Sequence, residues 1–196
     1  LALGEDATCT ITNDDVDTTS LTLVKNVIND SGGSEPASTW ILTATGLTGF
    51  SGPGPSISSG DGFKAGTYDL SQSGGPPTYT ESDWVCLGGT QVDADTVTLA
   101  LGDNVTCTTT SDDISPTLTV NKTIVNDNGG LVTDPDAFGL RVDGGSVLHN
   151  VTNEFNAGSH LVSEDGLAGY SAGSWGGACD SAGNVTLTLG QDATCT

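Results

Sequence analysis

The sequence predicts an all-β fold built from tandem antiparallel β-sandwich domains, and three observations support this class. First, the 196 residues include 28 glycines and seven prolines, together with many Thr, Ser and Val, and this composition favours strands and turns over helices. Second, apolar and polar residues alternate in SLTLVKNVI, TWILTATG, TYDLSQ, TVTLALG and VTLTLG, and turn-forming clusters separate these runs. No window of helical length carries an apolar stripe of helical period. Third, the whole pattern repeats.

The repetition is visible in several phrases. ATCTITNDD at 7–15 returns as VTCTTTSDD at 105–113, and its opening ATCT returns at 193–196. SLTLVKNVINDSGG likewise matches TLTVNKTIVNDNGG, and FKAGTYDLSQ matches FNAGSHLVSE. A fixed order of signals that recurs in this way is typical of tandem domains.

The repeats predict three segments. Each full repeat of about 90 to 100 residues is long enough for a seven-strand antiparallel sandwich with one two-sheet core. We expect the chain to begin and end inside a repeat of a longer polypeptide. The segments are the last strand of a preceding repeat, or a donated strand, at 1–15; repeat 1 at 16–115; and repeat 2, cut at its C-terminal side, at 116–196.

The net charge of the chain limits the classes of partner that it can bind. Only four Lys plus Arg stand against 25 Asp plus Glu, which gives a formal net charge of −21. Such a chain repels the phosphates of nucleic acids and of anionic membrane surfaces. We therefore expect no nucleic-acid partner and no direct membrane contact from this segment. A solvated surface that resists aggregation explains the charge, and a high-salt habitat or bound divalent cations are alternatives.

The cysteines predict disulfides. Cys86 and Cys179 each follow a tryptophan strand, and Cys107 and Cys195 each lie in the last strand of the same repeat, reached through a hairpin. Neighbouring strands place these residues as the pairs Cys86 with Cys107 and Cys179 with Cys195. Cys9 occupies the last-strand position of the leading segment, so its partner is expected outside this unit. Disulfides imply an oxidising, extracytoplasmic location.

The order of these signals resembles a known family. L-T-L-x-K in a first strand is followed by A-G-x-Y-x-L-S-E, a tyrosine, W-x-C and C-T-I-T-N-D. This order is similar to the Ig-like, prealbumin-like repeats of bacterial and archaeal surface proteins, related to Cna-B and SpaA-type pilin domains. The resemblance covers nearly the whole chain. It implies an extracellular stalk, pilus or adhesin built of beads in series, without catalysis on outside substrates.

The pilin relatives often join the first strand to the last by a Lys–Asn isopeptide bond, assisted by an acidic residue. Lys25 and Lys122 occupy the same repeat position and share the apolar face of their strands. A buried amine is neutral and nucleophilic when its pKa is lowered, and a protonated carboxyl group polarises the amide that it attacks. A lysine that only bonds an opposite carboxylate or carbonyl is the alternative.

The other partners of this reaction are present only in part. The family glutamate falls on Gln72 in repeat 1 and on Glu164 in repeat 2, whereas the family asparagine falls on Ser111 in repeat 1 and is visible as Asn13 in the leading segment. We therefore predict no isopeptide bond in repeat 1. A bond involving Lys122 and Glu164 is left open in repeat 2, where the acceptor falls after Thr196.

Local sequence patterns indicate candidate sites for calcium binding and for glycosylation. Acidic junctions at 12–20 and 110–116 precede Asx-Gly loops, and their carboxylates Asp14, Asp15, Asp112 and Asp113 are calcium candidates, although Asx turns explain the loops without metal. No other cofactor is expected. Five N-x-S/T sequences are candidates for glycosylation in a secreted chain. They begin at Asn29, Asn104, Asn121, Asn150 and Asn184.

The function predicted from the sequence is structural. Catalytic motifs such as G-x-S-x-G, H-E-x-x-H or a phosphate-binding loop do not occur, so we do not expect an enzyme. We expect a section of a filament or stalk at the cell surface, made of disulfide-stapled sandwiches, with copies of the same chain as partners. The alternative is an adhesin module that binds a glycan or a host or cell-surface protein. Exposed edge strands also allow a strand donated between chains.

Overall fold

A computed structural model describes residues 2–15 and 18–196, which form strands, turns and two single turns of 3-10 helix. The predicted all-β class is confirmed. Leu1 and, in the first acidic junction, Val16 and Asp17 lie outside the described residues. The chain divides into two compact units. The first comprises residues 1–26, 37–74 and 83–109, and the second comprises 27–36, 75–82 and 110–196.

Among the described residues of repeat 1 there are ten strands, more than the seven of the expected sandwich, because several of them are only two to four residues long. They are β1 (Ser20–Ile28), β2 (Ile41–Thr45), β3 (Phe50–Pro53), β4 (Ser56–Ser58), β5 (Gly66–Ser73), β6 (Tyr79–Glu81), β7 (Val85–Leu87), β8 (Thr90–Gln91), β9 (Thr96–Leu99) and β10 (Asn104–Asp113). In the first unit, one sheet has the order β4-β1-β10 with β7 also paired to β10, and the other has the order β3-β2-β5-β9-β8. In the second unit, β6 pairs with the last three residues of β10.

The sequence of β1 shows why these strands form. Leu21, Leu23 and Lys25 are buried, while Thr22 and Val24 between them are only half-buried. Successive side chains of a strand point to opposite faces, so this alternation places one face on the core. The same parity predicted that Lys25 points with the apolar set.

Repeat 2 contains seven strands. They are β11 (Thr117–Val120), β12 (Leu140–Val142), β13 (Gly145–Ser146), β14 (Thr152–Glu154), β15 (Gly158–Glu164), β16 (Asn184–Leu187) and β17 (Asp192–Cys195). Their sheet orders are β14-β11-β17 and β13-β12-β15-β16. β11 and β17 are parallel, with Leu118 opposite Ala193 and Val120 opposite Cys195. This pair departs from the antiparallel rule because the first and last strands of the repeat lie side by side.

Each unit has its own apolar core. The first contains the Leu, Tyr and Phe side chains of β1, β2, β5 and their neighbours, together with Trp84. The second is formed by β11, β12, β15, β16 and β17, and includes Cys179 and Cys195. Trp84 is buried, whereas the matching Trp175 is only half-buried and packs against the second core.

Truncation of a core leucine in β1 tests the packing of the first unit. Leu23 is fully buried, so we expect Leu23→Ala to lower the free energy of unfolding by about 2 to 5 kcal/mol through lost burial and a residual cavity. The measurement is urea unfolding followed by tryptophan fluorescence. The control is Leu47→Ala, because Leu47 is 74% exposed. Equal effects of the two substitutions would contradict the assigned core.

Candidate functional site

Both predicted disulfides are present, one between two paired strands and one between a bend and the last strand of repeat 2. Cys86 in β7 is directly opposite Cys107 in β10, and a disulfide joins their sulfur atoms. A second disulfide joins Cys179 to Cys195 in β17, next to a bridge between Gly177 and Cys195. In each repeat the last strand is therefore tied to the segment that follows the tryptophan. Cys9 is a free, exposed thiol in the described chain.

The lysine of repeat 1 is buried beside Gln72, the residue at the position of the family glutamate. Lys25 is 2% exposed, its Nζ donates to Oε1 of Gln72, and it lies 4.8 Å from the centroid of the Trp40 ring. Nε2 of Gln72 in turn donates to Oγ1 of Thr109 at 3.3 Å. Gln72 thus holds both groups with its two amide functions. The absence of an isopeptide bond in repeat 1 stays a prediction.

The lysine of repeat 2 forms an ion pair with a carboxylate. Nζ of Lys122 lies 2.6 Å from Oε2 of Glu164 and 4.6 Å from the centroid of the Phe138 ring. The side chains of Lys122 and Glu164 are 15% and 11% exposed, so they line a groove rather than the sealed core. The structure therefore brings the two predicted residues into contact. An isopeptide bond formed by Lys122 stays a prediction.

A tyrosine-centred loop, which the sequence analysis did not identify as a site, recurs in both repeats. In repeat 1 the hydroxyl of Tyr79 donates to Oδ1 of Asn29 at 2.5 Å and accepts from the backbone N–H of Glu35 at 3.2 Å. Nδ2 of Asn29 donates to the Glu35 carbonyl at 3.2 Å, which closes residues 29–35, the Asn29 loop. The repetition of NDSGG and of the tyrosine was the available signal.

Repeat 2 contains the same arrangement with the same atoms. Tyr170 donates to Oδ1 of Asn126 at 2.6 Å and accepts from the N–H of Val132 at 3.1 Å. Nδ2 of Asn126 donates to the Val132 carbonyl at 2.8 Å. We call residues 126–132 the Asn126 loop. Gly130 is required here because a Cβ would lie 2.5 Å from the Tyr170 hydroxyl.

The Asn29 loop binds a carboxylate from the last strand. Asp113 is 5% exposed, and its carboxylate accepts from the backbone N–H of Ser31 at 3.0 and 3.1 Å and from that of Gly33 at 2.6 Å. Two backbone donors aimed at one carboxylate form a small anion-binding concavity. The end of β10 is thereby fixed to the loop that follows β1.

The four calcium candidates have different surroundings in the structure. Oxygen atoms of Asp112 and Asp113 lie within 4.8 Å of each other and of Asp30, a carboxylate that the sequence analysis did not select. Asp14 and Asp15 are exposed. Because backbone N–H groups already satisfy the Asp113 carboxylate, its burial is explained without a cation. Calcium binding by any of these residues stays a prediction.

The glycosylation candidates lie mostly at the surface. Asn104, Asn150 and Asn184 are exposed, and Asn121 is half-buried. Asn29 is exposed as a residue, but its amide nitrogen is the group that closes the Asn29 loop. A glycan on Asn29 would compete with that hydrogen bond, since it is attached through the same nitrogen. Glycosylation stays a prediction at all five positions.

Repeat 2 also contains a histidine–aspartate pair. Nδ1 of His160 lies 2.7 Å from Oδ2 of Asp143, and Nε2 lies 2.8 Å from the Asn156 carbonyl. Burial of the imidazole opposes its charged form, but these two hydrogen bonds outweigh it and raise the pKa of His160. The pKa of Asp143 is lowered by the backbone N–H of Leu161 and then by His160.

These features define a class of protein, a tandem array of β-sandwich domains that each contain an internal disulfide. The comparisons with known proteins agree with this class. A family model described as a prealbumin-like fold domain, of the SpaA type, matches residues 16–109 and again 113–196. The chain therefore belongs to the SpaA prealbumin-like fold domain family, and the resemblance seen in the sequence is confirmed. No curated protein matches the chain. Among the described residues, no helix is long and apolar enough to cross a membrane.

Removal of one disulfide tests its contribution to repeat 2. Cys179 and Cys195 are separated by 16 residues, and a loop of that length predicts that the double substitution to Ser lowers the free energy of unfolding by about 3 kcal/mol. Chemical denaturation of the oxidised proteins measures the change. Cys9→Ser is the control and leaves stability unchanged, because Cys9 forms no disulfide in the described chain. A double variant as stable as the parent would refute the expectation.

The histidine pair predicts a pH dependence. The pKa of His160 is raised on folding, so its contribution is fully present at a pH below the ordinary histidine pKa and is lost as the pH rises through the raised value. We expect His160→Gln to destabilise the protein more at about pH 5.5 than at about pH 8.5. Unfolding free energies of both proteins across this range give the difference. A constant difference would show that the imidazolium is not stabilised by Asp143.

Proposed function

We propose that the chain is a structural section of an extracellular surface filament or stalk made of disulfide-stapled β-sandwich repeats. The observation that carries the proposal is the serial match of two domains of one structural family over most of the chain, each with a disulfide on its last strand. Serial small sandwiches lengthen a molecule, whereas one active site needs only one of them.

The disulfides and the charge support the location and the role. Disulfides persist in oxidising compartments and are rare in the cytosol of mesophiles, so we place the chain outside the cell. The net charge of −21 keeps serial domains soluble at a surface. Copies of the same chain are the partners that this proposal implies, and the domains perform no catalysis.

The adhesin alternative receives less support from the aromatic residues. Trp40, Tyr68, Phe63 and Trp84 are buried in the first unit, and aromatic residues form only 5% of the chain. Aromatic side chains that recognise ligands lie on accessible loops. We therefore propose a structural role for these repeats in preference to ligand recognition.

Electron microscopy of the native cell-surface fraction tests the proposal. Two sandwiches stacked lengthwise predict an axial period of roughly 60 to 90 Å, from strands of about ten residues at ~3.3 Å each plus turns and linkers. Antibody against this chain should decorate fibres that have this period. Isolated flexible threads without a period would contradict the filament and make the repeats spacers, and decoration only of fibre tips would favour the adhesin.

A further inference from the structure

A groove in repeat 2 lies between the Lys122 and Glu164 pair and the Asn126 loop. Two pockets of about 300 and 450 Å³ form it, and they share Lys122, Thr123 and Gly173. Trp175 lines the first pocket, and Tyr170 lines the second. The groove therefore offers an apolar wall, an ion pair and a loop of backbone N–H groups.

In repeat 1 a strand occupies the corresponding place. β10 continues beyond Cys107 to Asp113, and Thr109, Ser111 and Asp113 are buried there. The strand beside it, β1, accordingly extends over nine residues. β11 has a matching sequence, TLTVNKTIV, yet only Thr117–Val120 form a strand. Residues 121–125 have the composition of a strand but lack strand pairing among the described residues.

The groove presents unused hydrogen-bonding groups. The N–H groups of Asn128 and Gly130 correspond to those of Ser31 and Gly33, which bind the Asp113 carboxylate. Within residues 2–15 and 18–196, neither Asn128 nor Gly130 donates its N–H to an acceptor. Oδ1 of Asn121, which lines the first pocket, is buried and also lacks a partner in the described part of the chain.

The leading segment has the sequence that fits this groove. Residues 8–15 read TCTITNDD, and the part of β10 from Thr106 to Asp113 reads TCTTTSDD. In the structure residues 5–15 form no strand and are exposed, and Ile11 is 85% exposed. A segment with the sequence of a buried strand thus lies in solvent, together with an apolar side chain whose burial is favourable.

We propose that residues 11–15 of one copy of the chain dock in this groove of a second copy and extend its sheet beside residues 121–125. The segment runs parallel to β11, as β17 does. By the alternation seen in β10, Ile11, Asn13 and Asp15 point inward. This proposal rests on the proposed function, because it names the contact by which copies of the chain join.

The chemistry of the segment matches the groove position by position. The Asp15 carboxylate accepts from the N–H groups of Asn128 and Gly130, as Asp113 does from the Asn29 loop. The amide of Asn13 offers a donor and an acceptor to the wall that carries Lys122 and Glu164. Main-chain hydrogen bonds supply affinity and the inward side chains supply specificity, as in other cases of strand addition.

The donor and the groove lie at different places on the chain, so the contact is heterologous. A heterologous contact that does not close into a ring generates an open filament. Free Cys9 precedes the docked residues, and its exposure in the single chain leaves this segment accessible. A second copy of the chain is therefore the expected occupant of the groove.

The test measures self-association of the 196-residue chain by sedimentation velocity, with Cys9→Ser in every protein to exclude disulfide dimers. The parent should form concentration-dependent oligomers. Asp15→Asn should weaken association about tenfold or more, because it removes a charge-assisted interaction. Asp6→Asn is the matched control and should have no effect, since it makes the same charge change outside residues 11–15. A monomeric parent, or equal effects of the two substitutions, would overturn the proposal.

The groove is tested by a second matched pair. Tyr170→Phe removes the hydroxyl that orders the Asn126 loop and should weaken association, whereas Tyr79→Phe, in the loop already bound by Asp113, should not. If one of these variants unfolds, disulfide trapping between two cysteine variants tests the contact instead. Extension of the β11 register places Thr12 opposite Thr123, so mixed Thr12→Cys and Thr123→Cys chains should form an intermolecular disulfide, and a Thr12→Cys with Leu148→Cys mixture should not. Equal trapping in both mixtures would overturn the proposal.

Native fibres separate this contact from the proposed function. Cross-linking mass spectrometry of fibres with the expected period should join residues 11–15 to residues 121–130 of another chain. A cross-link from residues 121–130 to sequence beyond Thr196 of the same polypeptide would overturn docking by a second copy and leave the filament intact. Threads without a period would instead contradict the filament itself, whatever the trapping shows.

Discussion

The pairing of first and last strands is the constraint on which each repeat depends. In repeat 2, β11 and β17 lie parallel in register, and the disulfide from Cys195 then ties this pair to Cys179. Parallel neighbouring strands need a long connection. The other strands of the repeat lie within that connection in the sequence, between β11 and β17. Breaking this pairing exposes both the core face of β11 and the cysteine of β17, because Val120 and Cys195 are opposite each other and buried.

The same pairing decides the surroundings of the lysine. Beside the full-length β10, Lys25 is buried, and its hydrogen-bond partner Gln72 also binds Thr109 of that strand. Lys122 lies beyond the last paired residue of β11 and keeps 15% of its side chain exposed next to a carboxylate. A buried ammonium group is costly unless its donors are satisfied. The equivalent lysines of the two repeats thus contact different groups, the neutral amide of Gln72 in repeat 1 and the carboxylate of Glu164 in repeat 2.

Local pattern predicted much of the fold and only part of the site. Alternation in SLTLVKNVI identified β1 and the inward direction of Lys25, and repeat spacing paired the cysteines correctly, although Cys179 lies in a bend rather than in a strand. The tyrosine loops escaped because Tyr79 meets Asn29 across 50 residues, and no local pattern encodes such a hydrogen bond. Asp113 was selected as a calcium candidate for its charge, whereas the structure shows backbone N–H groups around its carboxylate. The repeated spacing of Trp84 and Trp175 likewise does not report what covers each ring, and only Trp84 is fully buried.

The two loops show how a sequence repeat separates a structural role from a binding role. In both repeats a tyrosine hydroxyl and an asparagine amide hold the loop by hydrogen bonds that do not involve a carboxylate, and a glycine leaves room for the hydroxyl. Preorganised donors cost little further ordering when they bind an acceptor. In repeat 1 that acceptor belongs to the same chain and the loop is part of the fold. In repeat 2 the corresponding donors line a groove, and the docking proposed above uses them to bind the carboxylate of a second copy.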